Sequence, residues 1–412
     1  MHRLVIQGRM ADAHMTAADK HGKDMQGEVL KLSRELIRIP SITRNEHKIA
    51  EFIFARLDAW DLRPRFIEVK DFGPSVLAEI GPADAPAVVF NGHMDTVEVM
   101  NGWKHDPFRA VTDKGMLYGL GSLDMKCGLA ELMLAFKALA EIGLPGKSRV
   151  VFQAVSGEEV SSAGTRALMA KGGFRKARVA IVGEGFGGTE CLTIGRRGGS
   201  YFEVNIKGKA AHGSSPEAGV NAISDAARII EALGKMRMKK NARLVSEDGQ
   251  PLRESQTVLK ISGGSDSFTV PEACRLKIVR CTIPGHDDEV AGQLRETIRD
   301  CRVKSHVEIK LIKGAADLFE PYVTTPRSDL VRTASKWIKH FTGKEPRHVI
   351  GKSEADDNRI SHDLGLPVVC YGPGEGGKLA RYHQPEEAVS VDQLGTAANV
   401  YVMTAIELLS HP

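Results

Sequence analysis

Val88-Val89-Phe90-Asn91-Gly92-His93-Met94-Asp95-Thr96 decides the fold: an apolar, β-branched run reaches a glycine and is followed at once by a histidine and a carboxylate. A short run of this kind reads as a strand buried on both faces. The same grammar recurs in Ala154-Val155-Ser156-Gly157-Glu158-Glu159 and in Ala180-Ile181-Val182-Gly183-Glu184-Gly185. In Tyr118-Gly119-Leu120-Gly121-Ser122-Leu123-Asp124-Met125-Lys126 a carboxylate follows a glycine-rich turn. Tyr382-His383-Gln384-Pro385-Glu386-Glu387 comes after the apolar run at 367–371.

Around these segments, apolar runs at 87–90, 149–155, 179–182 and 367–371 alternate with helical patterns at 129–142, 163–171 and 330–341. Alternation of this kind predicts an α/β layer fold around a mixed, mostly parallel sheet flanked by helices. Residues 28–57 read as two helices broken at Pro40-Ser41. From 197 to 312 the order changes to β-α-β-β-α-β. Strands are predicted at 200–207, 257–262, 273–281 and 306–312, with helices at 221–236 and 287–303. That order is ferredoxin-like. The expected organisation is a body made of 27–196 and 313–412, an inserted α+β lid at 197–312, and a disordered extension at 1–26.

A chain of 412 residues exceeds the size at which one core usually stops growing, so more than one domain is expected. Net charge is +4, from 56 basic and 52 acidic residues, which is too balanced for a nucleic-acid footprint. The dense basic stretch at 235–243 reads as the solvated end of a helix. The six cysteines form no C-x-x-C pair and read as reduced thiols of a cytoplasmic protein. No apolar run approaches the ~20 residues of a membrane span, and the N-terminal stretch lacks the apolar core of a signal peptide.

In open α/β sheets ligands bind beyond the carboxyl ends of the strands, so the five segments are expected to converge on one crevice. Taken singly they are ordinary. Glu158-Glu159 reads as a solvated pair, Asp124 as a helix cap and His383 as a surface histidine. Together they supply what a two-metal hydrolase needs. Its ions lie ~3.5–4 Å apart and repel, so a bridging carboxylate and further anionic ligands must hold them. His93, Asp124 and Glu184 are assigned to one divalent ion, with Asp124 bridging, and Glu159 and His383 complete the other. Imidazole and carboxylate donors suit zinc, with cobalt or manganese as alternatives. A shared water, deprotonated near neutral pH, would attack an amide carbonyl, and Glu158 would pass its proton to the leaving nitrogen. Asp95, two residues after His93, is expected to orient the first imidazole. The stretch Gly372-Pro373-Gly374-Glu375-Gly376-Gly377 lacks the Lys-Ser/Thr of a nucleotide loop. It reads instead as backbone that approaches a substrate carboxylate through Gly372 and Gly374.

Gly92-His93-Met94-Asp95-Thr96-Val97, Gly119-Leu120-Gly121-Ser122-Leu123-Asp124-Met125-Lys126, Gly157-Glu158-Glu159 and Val182-Gly183-Glu184 resemble the signatures of the M20 metallopeptidases, over roughly residues 28–410. That family includes acetylornithine deacetylase, succinyl-diaminopimelate desuccinylase, aminoacylase and the glutamate carboxypeptidases. The resemblance implies the same roles for His93, Asp124, Glu159, Glu184 and His383 as ligands, Glu158 as general acid/base and Asp95 as the orienting residue. It also implies a catalytic domain interrupted by a lid that makes a homodimer contact. Within the lid, Gly208-Lys209-Ala210-Ala211-His212-Gly213-Ser214-Ser215-Pro216 resembles the family segment whose histidine reaches an active site, often the partner subunit's. Arg280 matches an arginine that grips the substrate carboxylate. There are departures. Ser267, Phe268 and Thr269 stand where relatives carry an asparagine, Glu354 where they carry aspartate, and Glu386 replaces an asparagine. Cys127, beside the bridging aspartate, reads as packed rather than reactive.

The expected activity is hydrolysis of an N-acyl amino acid or a short peptide with a free carboxylate. The alternatives are a dipeptidase or aminopeptidase acting on free-amine peptides, and a non-catalytic metal-binding scaffold. A scaffold would tolerate loss of a ligand or the base, and none of the seven core positions is lost.

Overall fold

The computed structural model describes residues 25–185, 187–285, 290–312, 318–374 and 381–410. Nearly all of the extension expected at 1–26 lies outside the described residues. Met25 and Gln26 already belong to the first helix, Met25–Ile37, and Gln26 Nε2 donates to the Val391 carbonyl at 2.7 Å. The second helix is His47–Ala59, with Pro40 in the break between them.

The larger sheet has nine strands. Its spatial order is Arg65–Ile67, Ser75–Ile80, Arg149–Val155, Ala87–His93, Ala177–Val182, Val368–Cys370, Cys191–Arg196 and Tyr322–Val323, with Arg347–Gly351 also pairing on Cys191–Arg196. The central run from Arg149–Val155 to Val368–Cys370 is parallel, and the outer strands pair antiparallel except Arg347–Gly351, which lies parallel to Cys191–Arg196. All residues of Ala87–His93 and Arg149–Val155 are buried. Helices cover both faces, which is why these strands are apolar throughout rather than alternating. Cys127–Ile142 and Thr396–Ser410 bury most of their surface in the main core. Thr396–Ser410 is apolar nearly all round, so it carries no amphipathic period for a sequence reading to find.

Between the two halves of this sheet the chain builds a second one. Ser255–Gly263, Ala273–Thr282, Gly198–Lys207 and His306–Leu311 pair antiparallel in that order. Helices Ala222–Gly234 and Val290–Asp300 pack on it around Phe202, Val204, Ile229, Leu276 and Leu294. The ferredoxin-like order is therefore present. The start of the second predicted helix, at 287–289, lies outside the described residues. The return to the large sheet falls after 313, because Leu318–Phe319 still pairs with Gly198–Lys207. One expectation is corrected. The basic stretch is not a helix end, because the helix stops at Gly234 and Lys240–Val245 forms a hairpin with Pro251–Arg253. Ser246 bridges to Ile350, so the hairpin borders the large sheet.

Candidate metal centre

Three adjacent parallel strands of the large sheet finish at the same edge. His93 is the last residue of its strand, Glu158 and Glu159 open the turn of helix Glu158–Ser161, and Glu184 follows Ala177–Val182. Gly157 has φ +68, a region that disfavours a Cβ, and it lets the chain swing from strand into Glu158. Asp124 arrives from the turn Ser122–Lys126, where it has non-helical dihedrals and is followed by a cis peptide to Met125. The buried Glu387 carboxylate fixes this turn, accepting the N–H groups of Gly121 at 3.1 Å, Leu123 at 2.8 Å and Asp124 at 3.1 Å.

The ligand candidates then meet. His93 Nε2 lies 2.9 Å from Asp124 Oδ1. His383 Nε2 lies 3.3 Å from Asp124 Oδ2 and 3.1 Å from Glu159 Oε2. Asp124 thus presents one oxygen to each imidazole. Ligand atoms of His93, Asp124 and Glu159 fall within 4.8 Å of one another. Among the described residues, nothing donates a hydrogen bond to the buried Glu159 Oε1. Glu184 is near enough for the charges of Asp124 and His93 to act on its carboxyl. The buried carboxylates with an orphaned oxygen, and the imidazole nitrogens turned toward them, fit a pair of divalent cations.

Electrostatics point the same way. Burial pushes Asp95 and Glu184 each up to about 7 and raises Glu158 well above the carboxylate range. For Asp124 burial acts upward too, but hydrogen bonds from His383 and His93 reverse it and hold the carboxyl well below its usual value. Hydrogen bonds to Asp124 and Glu159 raise His383 to about 11. Burial lowers His93, and its Asp124 hydrogen bond with the surrounding carboxylates more than reverses that. The cluster holds more negative charge than neutral imidazoles can balance, so it favours added cations.

Asp95 sits differently from its expected role. His93 Nδ1 makes its 3.0 Å hydrogen bond with the Asp95 backbone carbonyl, while the nearer carboxylate oxygen is 3.8 Å away. The carboxylate instead accepts the N–H groups of Glu158 at 3.1 Å and Glu159 at 3.3 Å, and the Thr43 hydroxyl at 3.0 Å. Asp95 therefore ties the two halves of the centre together.

Of the remaining candidates, His212 and Arg280 make their contacts outside the cluster, whereas Gly372 packs on the Glu184 backbone. His212 is exposed, hydrogen-bonds Ser214 at 2.7 Å and meets the Phe268 ring edge-on at 5.3 Å. Arg280 is buried within the smaller sheet's layer, paired with Glu254 at 2.8 Å and close to Gln293 at 3.1 Å. Gly372 and Gly374 are buried, and a Cβ on either would strike the chain at 183–188. They permit close packing against the Glu184 loop, and 375–380 lies outside the described residues. Cys127 is buried, and burial pushes its thiol up to about 12. All six cysteines are unpaired.

Sequence reasoning missed the group behind Glu184. Arg196 is fully buried and joins Glu184 Oε2 at 2.8 Å to Asp357 Oδ1 at 2.6 Å. Tyr322 donates to Asp357 at 2.6 Å. The departure at 386 is also accounted for. Glu386 accepts the N–H groups of Lys104 at 2.7 Å and His105 at 3.0 Å, and pairs with His105 Nδ1 at 2.8 Å.

A mostly parallel sheet that gathers two imidazoles and several buried carboxylates at its carboxyl edge defines a metal-dependent hydrolase. The chain belongs to peptidase family M20/M25/M40, whose sequence pattern matches residues 89–407. It is similar to the N-formyl-4-amino-5-aminomethyl-2-methylpyrimidine deformylase of Bacillus subtilis, 26% identical over 420 residues, covering 93% of this chain and 95% of the relative. Its fold is similar to that of a tripeptidase from Staphylococcus aureus, with TM-score 0.74 and 21% identity over 94% of this chain and 99% of that one. It is also similar to a dinuclear metal-binding M20 peptidase of Bacillus subtilis, with TM-score 0.71 and 16% identity over 94% and 99%. Among the described residues, no helix is long and apolar enough to cross a membrane.

Proposed function

We propose that this chain hydrolyses the amide bond of an N-acyl amino acid or short peptide bearing a free carboxylate, with two divalent metal ions, zinc by preference. The observation that carries this is Asp124, whose two oxygens face His93 at 2.9 Å and His383 at 3.3 Å. His93, Asp124 and Glu184 would hold one ion, and Asp124, Glu159 and His383 the other. Bound there, the ions supply Lewis acidity toward a carbonyl and make water nucleophilic near neutral pH.

The chain's own groups do the rest. Glu158 is half-buried; its removal from water, with Asp356, Glu159 and Glu184 nearby, raises its carboxyl well above the usual value and suits it to carry a proton to the leaving nitrogen. Asp95 fixes the Glu158-Glu159 turn through its two backbone hydrogen bonds. Its carbonyl sets the His93 tautomer so that Nε2 faces Asp124. The smaller sheet serves as a lid, and homodimerisation through it would bring the exposed His212 to a neighbouring crevice to donate to the developing oxyanion. Arg280 would reach a substrate carboxylate only by exchanging its Glu254 partner. The deformylase likeness supports removal of an acyl group from nitrogen.

The test is a hydrolysis panel of N-acetyl, N-succinyl and free-amine dipeptide substrates with zinc-, cobalt- and manganese-loaded protein. Hydrolysis of N-acylated compounds, abolished by chelation and restored by metal, is expected. Full activity in metal-free protein contradicts the proposal, and activity confined to free-amine peptides replaces it with a dipeptidase.

A further inference from the structure

His306–Leu311 ends the order of the smaller sheet, and among the described residues it pairs with Gly198–Lys207 alone. Its register sets Val307 against Ile206, Ile309 against Val204 and Leu311 against Phe202. One step further along the same ladder, the Ile312 N–H donates to the Tyr201 carbonyl at 2.8 Å. Alternate residues of an antiparallel strand turn their N–H and C=O groups toward the partner. The even-numbered residues of this strand therefore face Gly198–Lys207, and Val307, Ile309 and Leu311 turn their backbone groups outward. Such an edge is a template for another extended chain.

A cavity of about 590 Å³ lies between this strand and helix Val290–Asp300. Val303, Val307 and Ile309 line it and are half-buried. Arg295, Arg299 and Arg302 line it too, and all three are exposed. Among the described residues, Arg295 and Arg302 have no ion-pair partner, and Arg299 comes only to 3.7 Å from Glu296 and 3.9 Å from Asp300. The carboxylate in the lining, Glu308, is paired with Lys310 at 3.1 Å. Cations at a helix C-terminus answer the backbone dipole, which accounts for Arg299 and Arg302, but that field fades within the last turn. Arg295 lies more than a turn before the helix ends at Asp300, so the dipole does not explain it.

We propose that this groove binds an extended, acidic peptide segment of a partner protein, which joins the smaller sheet as an added strand. Its backbone pairs with Val307, Ile309 and Leu311. Its alternate apolar side chains enter the floor, and its carboxylates meet the three arginines. A strand of six residues spans about 20 Å, so a segment of about that length fills the edge. The groove lies at the opposite border of the smaller sheet from Ser255–Gly263, and its occupation does not depend on the hydrolase reading.

The experiment measures binding of a capped peptide of alternating glutamate and valine to the full-length protein by calorimetry, beside the matching lysine–valine peptide. The glutamate peptide is expected to bind, more weakly as salt is raised, and the lysine peptide is not. Arg295→Gln combined with Arg302→Gln removes two exposed charges that hold no partner. This double variant should melt as wild type does and bind the glutamate peptide about tenfold more weakly. Hydrogen exchange over residues 306–311, read by mass spectrometry, should slow when the peptide binds, because the outward N–H groups gain acceptors. Failure of the glutamate peptide to bind, equal binding of the lysine peptide, undiminished affinity in the double variant, or unchanged exchange over 306–311 on binding each overturns the proposal.

Discussion

Nη2 of Arg196 lies 2.8 Å from Oε2 of Glu184, and the same guanidinium reaches Asp357 at 2.6 Å and Ser353 at 2.9 Å, with no part of Arg196 exposed. A planar, always-charged fork can satisfy these partners at once. It fixes the orientation of a candidate metal ligand, and Arg196 ends the strand from which the chain enters the smaller sheet.

Arg196→Ala leaves buried carboxylates without their partner, and denaturant titration is expected to register a loss of about 3–5 kcal/mol. Arg196→Lys keeps the charge but cannot span all three groups. Its expected signature is a 10–100-fold weaker affinity for one of the two metal ions, read by competition with a chelating dye. Metal affinity equal to wild type would show that Arg196 does not position Glu184.

Glu158→Gln removes the proton carrier and leaves the ligands in place. Metal content should stay near wild type while kcat falls by at least ~10². Unchanged turnover in this variant would refute the assigned role.

Glu386 joins the Lys104–His105 backbone to the loop that carries His383. Glu386→Ala strips a charged acceptor from two N–H groups and an imidazole, so a loss of about 1–3 kcal/mol is expected in chemical denaturation. A change below measurement error would make the contact dispensable.

Glu131 is buried on helix Cys127–Ile142, and burial pushes its carboxyl from 4.5 up to about 8, against hydrogen bonds from the Gly395 and Ala397 backbones. Below pH 4.5 both the folded and the unfolded chain hold this proton. Between 4.5 and about 8 only the folded chain does, so stability from this group falls as pH rises and levels off above 8. Glu131→Gln mimics the protonated form. It should match wild type near pH 4.5 and exceed it in melting temperature above pH 8, by the equivalent of a few kcal/mol. A melting difference that does not vary with pH would contradict this.

What the sequence disclosed follows from physical signal strength. Ala87–His93 and Arg149–Val155 were legible because strands buried on both faces carry unbroken apolar runs, and the glycines and carboxylates that end them are conspicuous. His93, Glu159 and Glu184 were legible because each comes just after such a run, and Asp124 because it follows a glycine-rich turn. Arg196 was not, because Arg196-Arg197 at a strand end looks like any solvated basic pair, and its partner Asp357 is far along the chain. Glu387 looks like the unremarkable end of the His383 segment, since nothing local signals that it holds the Asp124 turn. The position of Asp95, two residues after His93, allows a side-chain contact with that imidazole. The backbone carbonyl makes that contact instead, and two N–H groups claim the carboxylate.

The most direct measurement is metal stoichiometry by elemental analysis after equilibrium dialysis, on wild type and on Asp124→Asn. The account predicts two divalent ions per wild-type chain, with both sites weakened together in the variant because the shared carboxylate is gone. One ion or none in wild type, or an Asp124→Asn protein that keeps two with unchanged affinity, would contradict it.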